Sequence, residues 1–188
     1  MRQAMVKMGT LLLAAGLLSA PPAQAADAQV EVGQPAPKFF LRDLEGVMHR
    51  LSDLAYPGEE VAWKKKKKVL LDFFRTDCKP CMKELPQVVA YHEKHGAEVQ
   101  VLLIALLEEK DGRAKLKAWL KKNPLPFPVL VDAYETVAKK YIVKGESLSL
   151  PAIFLIDENG VVRAELQGLK ENLEQALADA VGAGGDAG

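Results

Sequence analysis

The chain carries two cysteines, and they stand two residues apart as Cys78-Lys79-Pro80-Cys81. Two thiols at this spacing can reach one another. One can attack a disulfide as its thiolate, and the other can resolve the mixed product internally. Placement adds to spacing, because the pair follows an apolar run at 69–74 and opens a stretch with helical periodicity. At a helix N-terminus, unsatisfied backbone N–H groups and the helix dipole stabilise a thiolate. Pro80 suits the first helical turn, where its missing N–H costs little. Three other readings compete. A static disulfide closing so small a loop adds little stability. Half of a zinc site would lack its remaining ligands, since there is no second cysteine pair. An inactive remnant would keep the spacing without the chemistry.

The elements that must position the pair follow from apolar periodicity. Residues 69–74 are apolar except for Asp72, the pattern of a strand buried on both faces. The helix from about residue 78 places Met82, Leu85, Val89 and His92 on one face, with Pro86 kinking it and Gly96 ending it. Further strands are expected at 99–107, 129–131, 152–156 and 161–166, the last two joined by Asn159-Gly160. Further helices are expected at 113–122 and 134–141, and a last one burying Leu173, Ala176, Leu177 and Ala180. Runs at 38–42 and 47–51 flank Leu44-Glu45-Gly46 as a hairpin. Alternating strands and helices, closed by a hairpin and a helix, imply an α/β fold with a central mixed sheet flanked by helices and an extra N-terminal β-hairpin.

Composition agrees. Among 188 residues, 49% are hydrophobic and 27% charged, with 25 Lys plus Arg against 25 Asp plus Glu. That is globular composition, and the balance gives no support for nucleic-acid binding. Residues 1–25 read as a secretory signal: Arg2 and Lys7, an apolar stretch at 11–18, then Ala23-Gln24-Ala25 before the cleavage point. The apolar stretch is too short to span a bilayer. Residues 26–33 read as a linker, 34–181 as the domain and 182–188 as a flexible tail. An exported protein, periplasmic in a Gram-negative cell, meets an oxidising compartment in which a thiol pair has redox work available.

Several motifs together resemble the thioredoxin superfamily, and within it the exported TlpA/ResA-like thiol-disulfide oxidoreductases, which overlap the AhpC-TSA-related redoxins. They are Gly33-Gln34-Pro35-Ala36-Pro37 with Phe39 or Phe40, Asp43-Leu44-Glu45-Gly46, Leu70-Leu71-Asp72-Phe73-Phe74, Cys78-Lys79-Pro80-Cys81 with Glu84-Leu85-Pro86, and Leu150-Pro151-Ala152-Ile153-Phe154. The resemblance implies a thioredoxin-like three-layer fold. It assigns attack to Cys78 and resolution to Cys81, and makes Pro151 a cis-proline facing the pair, with Leu150 offering backbone to a substrate strand beside Asp77, Lys79 and Pro80. An ordinary proline at a strand start is the bland alternative for Pro151. Asp72 matches a buried aspartate whose raised pKa suits moving the resolving thiol's proton. Glu84 matches a supporting acidic position, and a plain surface position on the helix fits it nearly as well.

The chain also departs from that family. Asp77 stands where tryptophan is usual and Arg75 where a small residue is usual. Asp77 opposes thiolate formation at Cys78 and Lys79 favours it. The segment 146–150 before Pro151 is longer than the family's short turn. The run of five lysines, Lys64 to Lys68, could meet an acidic partner or a membrane surface, although a solvated turn before a strand explains it more simply. His49, His92 and His95 read as structural or exposed.

The leading expectation is a monomeric dithiol-disulfide oxidoreductase that reduces disulfides of partner proteins. Apocytochromes before haem attachment or copper-site proteins are the partner classes the resemblance implies. A membrane thiol protein would return electrons, and no cofactor or metal is needed beyond the Cys78–Cys81 disulfide itself. Two alternatives are a thiol peroxidase, using Thr76 and Arg75 around one cysteine, and a copper-binding chaperone. For the latter the cysteine spacing is short and no histidine follows His95.

Overall fold

The computed structural model describes residues 30–56, 65–107, 111–144 and 147–184. The expected signal at 1–25 lies outside the described residues, as does Lys64.

The sheet is built around β3 (Lys68–Phe74), which pairs in parallel with β4 (Val99–Leu106) and antiparallel with β8 (Ala152–Ile156). From β4 the sheet continues in parallel to β5 (Val129–Asp132), then antiparallel to β1 (Phe40–Asp43) and β2 (Met48–Arg50). From β8 it ends at β9 (Val162–Gln167), again antiparallel. The order is β2-β1-β5-β4-β3-β8-β9, a mixed sheet with the expected hairpin at one edge. A small separate pair joins β6 (Val143–Lys144) to β7 (Ser147–Leu148), and β7 lies in the long segment 146–150 before Pro151.

Alternation along the central strands sorts the core into two layers. Val69, Leu71 and Phe73 of β3 join Leu102 and Ile104 of β4 on one face. Leu70 and Phe74 join Val101, Leu103 and Ala105 on the other. The first face is covered by α1 (Leu51–Leu54) and α4 (Ala138–Tyr141), with Tyr141 stacked among Phe39, Phe73 and Phe154. The second is covered by α2 (Lys79–His95), α3 (Gly112–Lys122) and α5 (Leu173–Gly184).

Several boundaries differ from expectation for physical reasons. The linker ends earlier than residue 33. Val30 is buried, and Gly33 donates its N–H to the Val162 carbonyl at 2.8 Å, so the chain docks on β9 at once. The last helix runs through Gly184 rather than stopping at 181. The helix expected at 134–141 is confined to α4, because Asp132 organises the preceding turn. Its buried carboxylate accepts from Thr136 N and Oγ1, Val137 N and Ala138 N at 2.8–3.0 Å.

The lysine run is a capping device. Lys66 Nζ donates to the carbonyls of Ser52 and Ala55 at the end of α1, and Lys67 Nζ to the Gly96 carbonyl at the end of α2. A cation at a helix C-terminus satisfies orphan carbonyls and complements the dipole. Two of the five lysines are thereby withdrawn from any anionic surface.

Asp132→Ala should lower the unfolding free energy by about 3 kcal/mol, since it strands buried N–H donors that a carboxylate now satisfies. Urea unfolding measures this, and Asp132→Asn should recover part of the loss.

Candidate active site

The chain leaving β3 makes one turn before α2 starts. Cys78 N–H donates to the Arg75 carbonyl at 3.1 Å, and Cys78 then serves as N-cap of α2. Its Sγ accepts the Cys81 N–H at 3.2 Å, so the helix N-terminus is aimed at sulfur, as the sequence placement required. Cys78 and Cys81 form a disulfide with S–S 2.02 Å and Cα–Cα 5.3 Å. Cys78 is half-buried and Cys81 is buried, so the two sulfurs differ in access. Lys79 and Pro80 are exposed in the first turn. Pro86 lies inside α2, which continues past it to His95.

The buried stripe of α2 is Cys81, Glu84, Leu85 and Val88, with Met82 and Val89 only half-buried. This stripe sits one position from the expected one and includes a carboxylate. Glu84 is 2% exposed, which sets aside the plain surface alternative and leaves the supporting acidic position. Asp72 is 3% exposed, and its place in β3 turns it toward the same layer as Leu70 and Phe74. Two acids therefore lie between β3 and α2, in the layer that holds Cys81. Each keeps one oxygen without a hydrogen-bond partner, Oδ1 of Asp72 and Oε2 of Glu84.

Burial governs their protonation. It pushes the Asp72 carboxyl well above the ordinary range, and the neighbouring Glu84 charge adds to the shift. Glu84 is raised by burial from its ordinary 4.5 to about 7, held back by the Lys170 backbone N–H and the Lys170 charge.

The Leu150–Pro151 peptide bond is cis, as the family resemblance implied. Pro151 is buried, and Leu150 packs with Cys78 and Met82 against the α2-side core. The Pro151 carbonyl accepts from Gly168 N–H at 2.8 Å, which ties this step to the end of β9. Asp77 is exposed, and its carboxylate takes two N–H bonds from Arg75, Nε at 3.1 Å and NH2 at 3.0 Å. The charge beside Cys78 is therefore paired and does not stand alone against the thiolate. The histidines lie elsewhere in contacts of their own: His49 with Asp43, His95 with Glu174, His92 against Phe127. Among the described residues, no three His, Cys, Asp or Glu side chains gather as a metal site.

Sequence reading missed Gln87 and Lys170. Gln87 donates to the Lys170 carbonyl at 2.9 Å and accepts the Leu173 N–H at 2.8 Å, clamping the β9–α5 connection onto α2 and bringing Lys170 to Glu84. Both contacts span more than 80 residues, and no local pattern signals them.

The raised carboxyls set a pH dependence. Between 4.5 and about 7 the folded protein holds a proton on Glu84 that the unfolded chain has released, so stability is full below 4.5 and falls as pH rises through about 7. Urea midpoints of the oxidised protein should therefore fall from pH 5 to pH 8, and Glu84→Gln should flatten that slope. An unchanged slope in Glu84→Gln would place the linked proton elsewhere.

Comparison with known proteins agrees with this geometry. The AhpC/TSA family model matches residues 32–165. The thiol-disulfide oxidoreductase ResA of Geobacillus thermodenitrificans is 34% identical over 153 residues, covering 79% of this chain and 77% of that protein. ResA of Bacillus thuringiensis is 37% identical over 151 residues, with 79% and 78% covered. Among solved structures, a putative thiol:disulfide interchange protein DsbE from Chlorobium tepidum aligns with a TM-score of 0.65 at 26% identity, over 82% of this chain and 98% of that one. The chain belongs to the AhpC/TSA family, as a thioredoxin-fold, TlpA/ResA-like thiol-disulfide oxidoreductase.

Proposed function

We propose that this oxidoreductase works as an exported reductant of disulfides in partner proteins. The observation that carries the direction is the pair of acids, Asp72 and Glu84, buried in the layer that holds Cys81. Strong oxidants of this chemistry owe their potential to a stabilised thiolate in the reduced form. Buried carboxyls behind the pair withhold that stabilisation, which favours the disulfide in the enzyme and makes its dithiol electron-donating.

In the cycle, Cys78 thiolate attacks one sulfur of the partner disulfide and forms a mixed disulfide, and the partner's first sulfur leaves as thiolate. Cys81 then attacks the Cys78 sulfur, the enzyme disulfide closes, and the second partner thiolate departs. Two electrons pass from enzyme to partner. In its ionised form Asp72 takes the Cys81 proton through water as that attack begins, its raised pKa making the carboxylate a stronger base, and Glu84, nearer the Lys170 loop, supports the transfer. Leu150 and Pro151 supply backbone for a partner strand beside the sulfurs, and Asp77, Lys79 and Pro80 form the rim it meets.

The electrons reside in the Cys78–Cys81 pair, so the cycle calls for no bound cofactor or metal. A thiol protein at the membrane would restore the dithiol. Export rests on residues 1–25, and the chain would act as a monomer in the periplasm of a Gram-negative cell. Apocytochromes and copper-site proteins are the partner classes suggested by the family. The ResA relatives support the activity and leave those partners to experiment. The peroxidase alternative would enlist Arg75 around a single cysteine, whereas here the two cysteines are joined as a disulfide.

Cys81→Ser should accumulate a mixed disulfide with a reducible protein such as insulin, while Cys78→Ser should form none. Asp72→Asn should slow release of the mixed disulfide about tenfold or more. Non-reducing gels and quenched-flow mass spectrometry read both. Equal trapping by the two cysteine variants would contradict the assigned order of attack.

A further inference from the structure

The position before Cys78 presents neither an apolar plate nor a free anion. Asp77 and Arg75 form a two-bond fork at the surface, at 3.1 and 3.0 Å. Such an exposed pair contributes little stability, so an incoming group can remodel it at little cost. Arg75 uses only its Nε and one terminal nitrogen on Asp77, and guanidinium offers five N–H donors in all. Lys79 is exposed on the other side of Cys78. Lys170 Nζ donates to the Gln167 carbonyl at 2.7 Å, next to the Gly168 N–H that holds Pro151. Arg75 and Lys79 thus flank Cys78 along the chain, one on each side. Of the acids at this rim, Asp77 is already engaged and Glu171 follows Lys170 on the exposed loop.

We propose that this rim selects partner segments carrying acidic side chains beside their reactive cysteine. Arg75 and Lys79 receive the partner carboxylates, and Asp77 holds Arg75 in place until one arrives. A partner carboxylate can share the Arg75 fork without breaking it. A partner lysine or arginine must displace Arg75 to reach Asp77 and must face Lys79 while doing so. The inference rests on the disulfide exchange proposed above and names the partner chemistry of that same site.

The test uses symmetrical disulfides of short cysteine peptides flanked by Glu, by Lys or by Leu, mixed with the reduced mature protein at low ionic strength. Dithiol oxidises to the Cys78–Cys81 disulfide as each peptide disulfide becomes two thiols. Each rate is divided by that of dithiothreitol on the same peptide, which removes differences in leaving-group acidity. The Glu-flanked peptide should react roughly three- to tenfold faster than the Lys-flanked one, through encounter rate more than through final affinity. Added salt should narrow the ratio. Asp77→Asn should widen it by releasing Arg75, and Arg75→Gln should narrow it by leaving Asp77 uncompensated. Equal rates, a faster Lys- or Leu-flanked peptide, or a ratio indifferent to Arg75→Gln would overturn the inference alone. Exchange with none of the three peptides would remove the oxidoreductase reading and the inference with it.

Discussion

The structure depends on one constraint: a strand with no access to water on either face must hand the chain directly to a helix N-terminus. β3 lies between β4 and β8 under helices on both sides, so its termini are the first places where polar chemistry can surface. The turn closed by the Arg75 carbonyl and the Cys78 N–H makes the exit as short as it can be, and α2 begins at sulfur. Because α2 must cover β3, Cys81 is carried inward while Cys78 stays at the rim. The unequal access of the two sulfurs follows from packing, and the division of roles between them follows from access.

The same constraint separates charge by depth. Asp72 cannot be hydrated in mid-strand, and Glu84 enters the same dry layer one turn after Cys81, so both hold protons far more tightly than exposed acids. At the surface the charges are paired or solvated instead, as in the Arg75–Asp77 fork. In the dithiol form, the Cys81 proton can pass inward to a buried carboxylate when that group is ionised, while Cys78 meets a partner outward. Lys66 and Lys67 show a contrasting use of charge, since their ammonium groups bond carbonyls at helix ends.

Much of this was legible in the sequence, and the exceptions have physical causes. The apolar run of β3, the cysteines at a helix start and the hairpin at Asn159-Gly160 are local signals, while the cis step at Pro151 was implied only by the family resemblance. Asp72 was legible because a lone acid in an apolar strand is conspicuous. Glu84 was named only through the family resemblance, and its burial was not legible, because a helix carries acids on any face and only the exact rotation of α2 buries this one. A one-residue offset in the periodicity was enough to hide that burial. Gln87 and Lys170 act across more than 80 residues, where periodicity says nothing. The shortening of α4 came from Asp132, whose carboxylate binds backbone N–H groups that would otherwise begin a longer helix.

The central claim is that Cys78 and Cys81 form a reversible, electron-donating couple. The measurement that tests it most directly is the reduction potential of the mature protein, equilibrated against glutathione or dithiothreitol buffers and read by thiol trapping. The account predicts a single two-electron transition near or below about −250 mV. A value near about −120 mV would mark a disulfide donor and contradict the direction assigned here.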